Sequence, residues 1–149
     1  MQKINLRVFD YHDIKDAAKL EKECFYLPWS EKAFENSISE GLSYFVSARN
    51  EEGIFLGYAG MYSAAGEGYI YNIAVSKKYR VQGVGSALLN NLLEYSKKLG
   101  LSFLSLEVRV SNLSAIKFYE KLGFKKIGIR KNFYDFPKED AFIMTYYFV

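Results

Sequence analysis

The chain has 149 residues, half of them hydrophobic and a quarter charged, with a net charge of +3 at pH 7; this suffices for one domain, residues 1–149, with a single core, and excludes disordered and fibrous classes. One cysteine, Cys24, and one histidine, His12, exclude an internal disulfide and leave almost no material for a Cys/His metal site or a Cys–His catalytic pair. The positive balance is small and its charges are scattered, which argues against a nucleic-acid partner while suiting an anionic cofactor.

The opening "MQKINLRVFDYHD" lacks the apolar segment of a signal peptide, and no stretch approaches the ~20 apolar residues of a membrane span. A cytoplasmic protein without a membrane partner is the expectation. "INLRVF" alternates and predicts a strand. "DIKDAAKLEKECF" predicts a helix with Asp13 as its cap, and Cys24, at helical spacing with Ile14, Ala17 and Leu20, reads as core. Ser30 reads as the next N-cap. Trp29 before it and Phe34 after it stand at hydrophobic-staple spacing, and the helix should run to about Glu40, closed by Gly41.

Two strands follow, "YFVSAR" and "FLGYAGMYS", separated by "NEEG"; "GEGYIYNIAV" reads as turn plus strand. Residues 84–99 predict a helix whose apolar face carries Leu88, Leu92, Tyr95 and Leu99, stopped by Gly100. "LSFLSLEVRV" predicts a strand with Leu104, Leu106 and Val108 on one face and Phe103, Ser105, Glu107 and Arg109 on the other. Asn112 begins a short helix ending at Gly123. "KKIGIRK" and "AFIMTYYF" pair antiparallel across "NFYDFPKED". The reading is an α/β (α+β) chain: a mixed sheet of about seven strands flanked by about four helices, with residues 69–75 and 101–109 parallel across the helical crossover.

In "YRVQGVGSALL", Gly83 and Gly85 stand at a helix start. Unpaired N–H groups and a partial positive charge there suit an anion, and glycine lets one approach; a tight turn without ligand is the plain alternative. A Walker loop is excluded, since no Gly-Lys pair occurs. A G-x-G-x-x-G dinucleotide loop is weakened by Leu88 at the third position and by "SKKYRVQ" between strand and glycines.

"YRVQGVGSALL" resembles the Q/R-x-x-G-x-G/A coenzyme A signature of the GCN5-related N-acetyltransferases (GNAT). "LPWSEKAF", "YNIAV", "LEVRVSNLSAIKFYEKLGF" and "IRKNFYD" resemble the family's bacterial ribosomal-protein alanine N-acetyltransferase branch, in its order and over nearly the whole chain. The resemblance implies the GNAT fold and acetyl-CoA as co-substrate, with no metal. It implies a pyrophosphate cradle from the amides of Val81, Gln82, Gly83, Val84, Gly85 and Ser86. Val81 departs from the polar or basic residue common there, which keeps a backbone contact and loses a side-chain one. The main chain of Ile73, Ala74 and Val75 would pair with the pantetheine arm where the parallel strands splay, and Asn112 would hold a pantetheine amide or serve only as an N-cap.

By the same resemblance Glu107 is the general base, acting directly or through water, and Tyr119 the general acid; a backbone amide of residues 74–75 would hold the oxyanion. Their ordinary alternatives are a surface pair of Glu107 with Arg109 or Lys117, and Tyr119 as helix core beside Ile116 and Leu122. Leu27, Pro28, Trp29, Asn132, Phe133 and Tyr134 fall in the loops that shape the acceptor groove, with Tyr134 best suited to hold the substrate backbone; Trp29 as a mere staple is compatible with this. The resemblance points to a protein N-terminus as acceptor, the alanine of a small-subunit ribosomal protein. A peptide α-amino group titrates near ~7.7–8.0 against ~10.4 for lysine, so its neutral form comes about 3–4 kcal/mol more readily. Lysine, polyamine or another small amine, a non-catalytic acyl-CoA module, and an NAD site are the alternatives.

Overall fold

Local sequence explains most element boundaries. The computed structural model describes residues 3–80 and 82–149. Strand β1 (Asn5–Val8) leads into helix α1 (Tyr11–Cys24). Its cap is Asp10 rather than the expected Asp13: Asp10 accepts from His12 N at 2.8 Å, and Asp13, three residues on, accepts from Asp10 N at 3.0 Å. The two aspartates form a reciprocal capping box, so the acidic residue inside the first turn answers the one before it. Helix α2 (Glu31–Ser39) begins as expected at Ser30, whose hydroxyl accepts from Ala33 N at 3.1 Å, and the Trp29 and Phe34 rings lie 5.1 Å apart.

Strands β2 (Ser43–Arg49), β3 (Phe55–Ala64) and β4 (Glu67–Val75) form a meander; α3 (Val84–Lys98) crosses over to β5 (Phe103–Arg109), and α4 (Leu113–Lys121) precedes the hairpin β6 (Lys125–Tyr134) and β7 (Glu139–Tyr147). Leu88 and Leu92 are buried, but Leu99 is 48% exposed, because it lies at the C-cap, beyond the last helical turn. Asn132, Phe133 and Tyr134, expected in a loop, continue β6. The seven strands form one mixed sheet in the order β1-β2-β3-β4-β5-β7-β6, parallel only between β4 and β5. Among the described residues no helix is long and apolar enough to cross a membrane.

Each sheet face carries its own core. On one, α3 and α4 cover Val46, Met61, Leu104, Leu106 and Val108. On the other, Ile14, Ala17 and Leu20 of α1 and Phe34 of α2 pack on Phe45, Tyr58 and Ala74, with Phe9 and Trp29 in the aromatic cluster. Alternation along β5 explains the division: Leu104, Leu106 and Val108 enter the first core, leaving Glu107 and Arg109 on the side of α1 and α2.

The site is opened by one irregularity. Gly60 pairs with Asn72 and Met61 with Ile70, so Tyr71 is an extra residue in β4. A bulge of this kind bends its strand and ends regular pairing. The β4–β5 ladder accordingly covers only Glu67–Tyr69 against Phe103–Ser105. Beyond it β5 follows β7, while β4 stays with β3 through Val75. Gly57 makes that close approach possible: a Cβ there would lie 2.4 Å from the Ala74 carbonyl oxygen.

Candidate active site

A cleft of about 690 Å³ lies where β4 and β5 part. Its walls come from Ile70–Ile73 of β4, Leu106–Arg109 of β5, Asn112 and Tyr119 of α4, the segment after α1, and residues 133–137 of the β6–β7 hairpin. Glu107 and Tyr119, from different elements, line it together. Burial pushes the Tyr119 phenol up to about 12, with Tyr134 a smaller contributor, and burial pushes Tyr134 to about 12, with the Glu107 charge next. Both phenols therefore keep their protons at neutral pH.

The ordinary alternative for Glu107 fails in part. Arg109 turns to the hairpin instead: its guanidinium donates to the carbonyls of Pro137 (2.9 Å) and Asp135 (3.1 Å), pairs with Glu139 at 3.1 Å, and lies 4.4 Å from the centre of the Tyr134 ring. Hydrogen bonds from Ser111, and then Arg109, hold the Glu139 carboxyl below the ordinary range. Tyr119 combines both readings, since it packs against the core and also lines the cleft.

Of the residues expected at the acceptor groove, Leu27, Trp29, Phe133 and Tyr134 line the cleft; Pro28 and Asn132 do not. Asn132 has φ +55° and donates its N–H to Asp140 at 2.8 Å, which shapes the hairpin. Cys24, expected in the core, is half-buried in the cleft wall, 3.5 Å from an Arg80 guanidinium nitrogen. Burial, against the nearby Arg80, raises its thiol pKa.

The expected cofactor residues divide between the cleft and the start of α3. Ile73 lines the cleft, and Ala74 and Val75 continue its strand. Val81 lies outside the described residues. Gly83 is the N-cap of α3 with φ +85°, a left-handed conformation that disfavours any side chain, and it supplies no side-chain cap. Ala87 N donates to Gly83 O at 3.0 Å, and a helix start of this kind leaves its first amides without helical acceptors, which suits an anion. A Cβ at Gly83 would meet no atom within 4 Å, and one at Gly85 would make an ordinary contact of 3.4 Å with the Phe118 ring. Asn112 caps α4 by accepting from Ala115 N at 3.2 Å, and lines the cleft as well. These features fit a diphosphate-bearing thioester such as acetyl-CoA.

Three features escaped sequence reading. Glu21 is fully buried: its carboxylate accepts from Trp29 N at 2.9 Å, the Tyr58 hydroxyl at 2.5 Å and the Asn72 amide at 3.4 Å. It thereby ties α1 to the loop before α2 and to β3 and β4. Arg109 is the second, and its spacing of two from Glu107 on one strand was the available signal. The third is a stack of Tyr26 on Phe136, 4.9 Å between centres, joining the two loops that flank the cleft.

A model of the acetyltransferase (GNAT) family matches residues 14–124. The [ribosomal protein bS18]-alanine N-acetyltransferase of Escherichia coli K12 is 38% identical over 135 residues, 89% of this chain and 90% of that protein. A putative [ribosomal protein bS18]-alanine N-acetyltransferase of Bacillus subtilis is 34% identical over 142 residues, 95% and 94% of the two chains. The crystal structure of the ribosomal-protein-S18-alanine N-acetyltransferase from Escherichia coli superposes with a TM-score of 0.88 at 33% identity, covering 97% of this chain and 94% of the other.

Proposed function

We propose, since this chain belongs to the acetyltransferase (GNAT) family, that it acetylates the free α-amino group of a protein N-terminus, the alanine of a bacterial ribosomal protein, using acetyl-CoA. Residues 1–149 act as one catalytic domain, in the cytoplasm and without a metal. The observation that carries this reading is the meeting of Glu107, Tyr119 and Tyr134 in one cleft, at the point where β4 and β5 stop pairing. The names of the relatives, which concern bS18, support the choice of acceptor.

The bound co-substrate would supply an activated acyl group, held by the amides at residues 82–86, with Val81 before them, and by the edge of Ile73–Val75 that β5 leaves unpaired, where Arg80 Nε donates to the Val75 carbonyl at 3.1 Å. Asn112 can cap α4 through its oxygen and still offer its amide nitrogen to the pantetheine arm. Glu107 takes the proton that the attacking amine loses, directly or through water. Tyr119, kept protonated by its burial, gives a proton to the departing thiolate. Leu27, Pro28, Trp29, Asn132, Phe133 and Tyr134 shape the acceptor groove, and the Tyr134 hydroxyl holds the peptide backbone. The Tyr26–Phe136 stack joins the loops beside that groove, an arrangement suited to a chain end.

The test is acetylation of a peptide array from the bS18 N-terminus, varying the first three residues and masking the terminal amine, beside spermidine and an internal lysine peptide. Turnover should require the free terminal amine. Equal turnover on the masked peptides or on spermidine would overturn the reading.

A further inference from the structure

The bS18 peptide must leave the cleft across some part of the protein surface. An unbroken file of rings starts in the cleft wall and leads away from it. Trp29 and Tyr71, both lining the cleft, lie 5.0 Å apart between ring centres. Tyr62 follows at 4.9 Å from Tyr71, Tyr69 at 5.2 Å from Tyr62, Phe103 at 5.7 Å from Tyr69, and Tyr147 at 6.1 Å from Phe103. The file crosses β3, β4, β5 and β7 on the sheet face that carries Glu107. Phe103 and Glu107 are four residues apart on one strand, so the file passes within about 13 Å of the proposed base.

The topology leaves this strip open. Helices α1 and α2 cover the same face over Phe45, Tyr58, Ala74 and one side of Tyr71, whose hydroxyl lies 3.5 Å from Ser37 Oγ of α2, and the rings from Tyr62 onward lie outside that cluster; α3 and α4 cover the other face. Tyr62, Tyr69 and Phe103 are half-buried, and Tyr147 is 52% exposed. Beneath the strip, Ser105 and Thr145 are buried and bonded to each other at 2.9 Å, so the floor is satisfied without further cover. Tyrosine-rich strips offer large rigid contact area with polar tips, the composition found where proteins hold peptides.

We propose that this strip binds the acceptor chain beyond its first few residues, so that affinity comes from the length of the bound segment as well as from its terminal amine. This rests on the N-terminal acetyltransferase reading. Continuity with the cleft selects the occupant: the file begins in the acceptor wall, where a bound chain must emerge, and a second copy seated there would crowd that mouth.

The experiment compares bS18 N-terminal peptides of about 5 and about 20 residues. The longer peptide should show a KM about 5- to 10-fold lower at unchanged kcat, the size of effect a few aromatic contacts provide. The double variant Tyr62→Ser, Tyr147→Ser should lose that advantage and keep the short-peptide kcat and KM. Tyr147→Glu alone, at a more exposed position, serves if the double variant folds poorly. Equal KM for both lengths in the unmodified protein, or a length advantage that survives either variant, overturns the proposal. So does a dimer, seen by sedimentation, that Tyr147→Glu dissociates. Absence of turnover on the short peptide would instead strike the acetyltransferase reading, so the two failures are separable.

Discussion

Replacing Glu21 tests whether a buried carboxyl braces the cleft. Glu21→Ala removes the acceptor for Trp29 N, the Tyr58 hydroxyl and the Asn72 amide. Tyr58 is 1% exposed and has no other acceptor among its bonds, and the loop amide of Trp29 is part-buried. Each stranded donor costs about 1–3 kcal/mol, so the pair costs about 2–6 kcal/mol, before any cavity left by the side chain. Asn72, half-exposed and at a longer distance, adds little. For a chain of this size 1 kcal/mol moves Tm by about 2–4 °C, so a fall of about 4–24 °C is expected by differential scanning calorimetry. The pH dependence adds a sign. Burial raises the Glu21 pKa, so the folded state binds its proton more tightly than the unfolded state. The stability contributed by Glu21 is therefore fully present below the unfolded value of ~4.3 and falls as pH rises through the folded value. Glu21→Gln, which cannot ionise, should lack that decline, and the stability of the unmodified protein relative to it should decrease as pH rises through that window. A Glu21→Ala protein within 0.5 kcal/mol of the parent, or parallel pH profiles for parent and Glu21→Gln, would refute the reasoning.

Three further outcomes follow from the cleft. Glu107→Gln and Tyr119→Phe should each lower acetylation turnover by about 10²–10⁴, while acetyl-CoA raises Tm as in the parent; loss of that thermal shift would point to a binding role instead. Arg109→Lys cannot reproduce the fork on Asp135, Pro137 and Glu139, and should raise the acceptor KM about tenfold with acetyl-CoA affinity unchanged in calorimetric titration. Gly57→Ala sets a methyl group 2.4 Å from the Ala74 carbonyl oxygen; it should cost about 1–3 kcal/mol in urea unfolding and weaken acetyl-CoA binding by displacing β4.

The helices were legible because their signals are local. Ser30 with the Trp29–Phe34 staple, and Asn112 ahead of α4, lie within a few residues of what they cap. Period-two alternation in "LSLEVR" assigned Glu107 and Arg109 to a common face without any knowledge of their neighbours. Glu21 was opaque for the opposite reason: Tyr58 and Asn72 stand 37 and 51 residues away, and a glutamate in a charged helix reads as solvent-facing. Arg109 invited pairing with the nearer Glu107, whereas its partner is Glu139, brought close by the β5–β7 ladder. Cys24 fits the apolar spacing of α1 but falls on its last residue, where the helix gives way to the cleft wall. The site's own cause, an extra residue in β4, leaves no mark in a strand pattern already rich in tyrosine and isoleucine.

Tyr71 acts as the stop on a zipper. Upstream of it β4 and β5 are closed; downstream each strand is fastened to a different neighbour. Excising that single residue would run Ile70 directly into Asn72, leave Asn72 through Val75 on their β3 partners and on their present faces, and take away the bend. The seam would then be free to fasten along its length, leaving a well-knit sheet with no slot through which its two faces could do business.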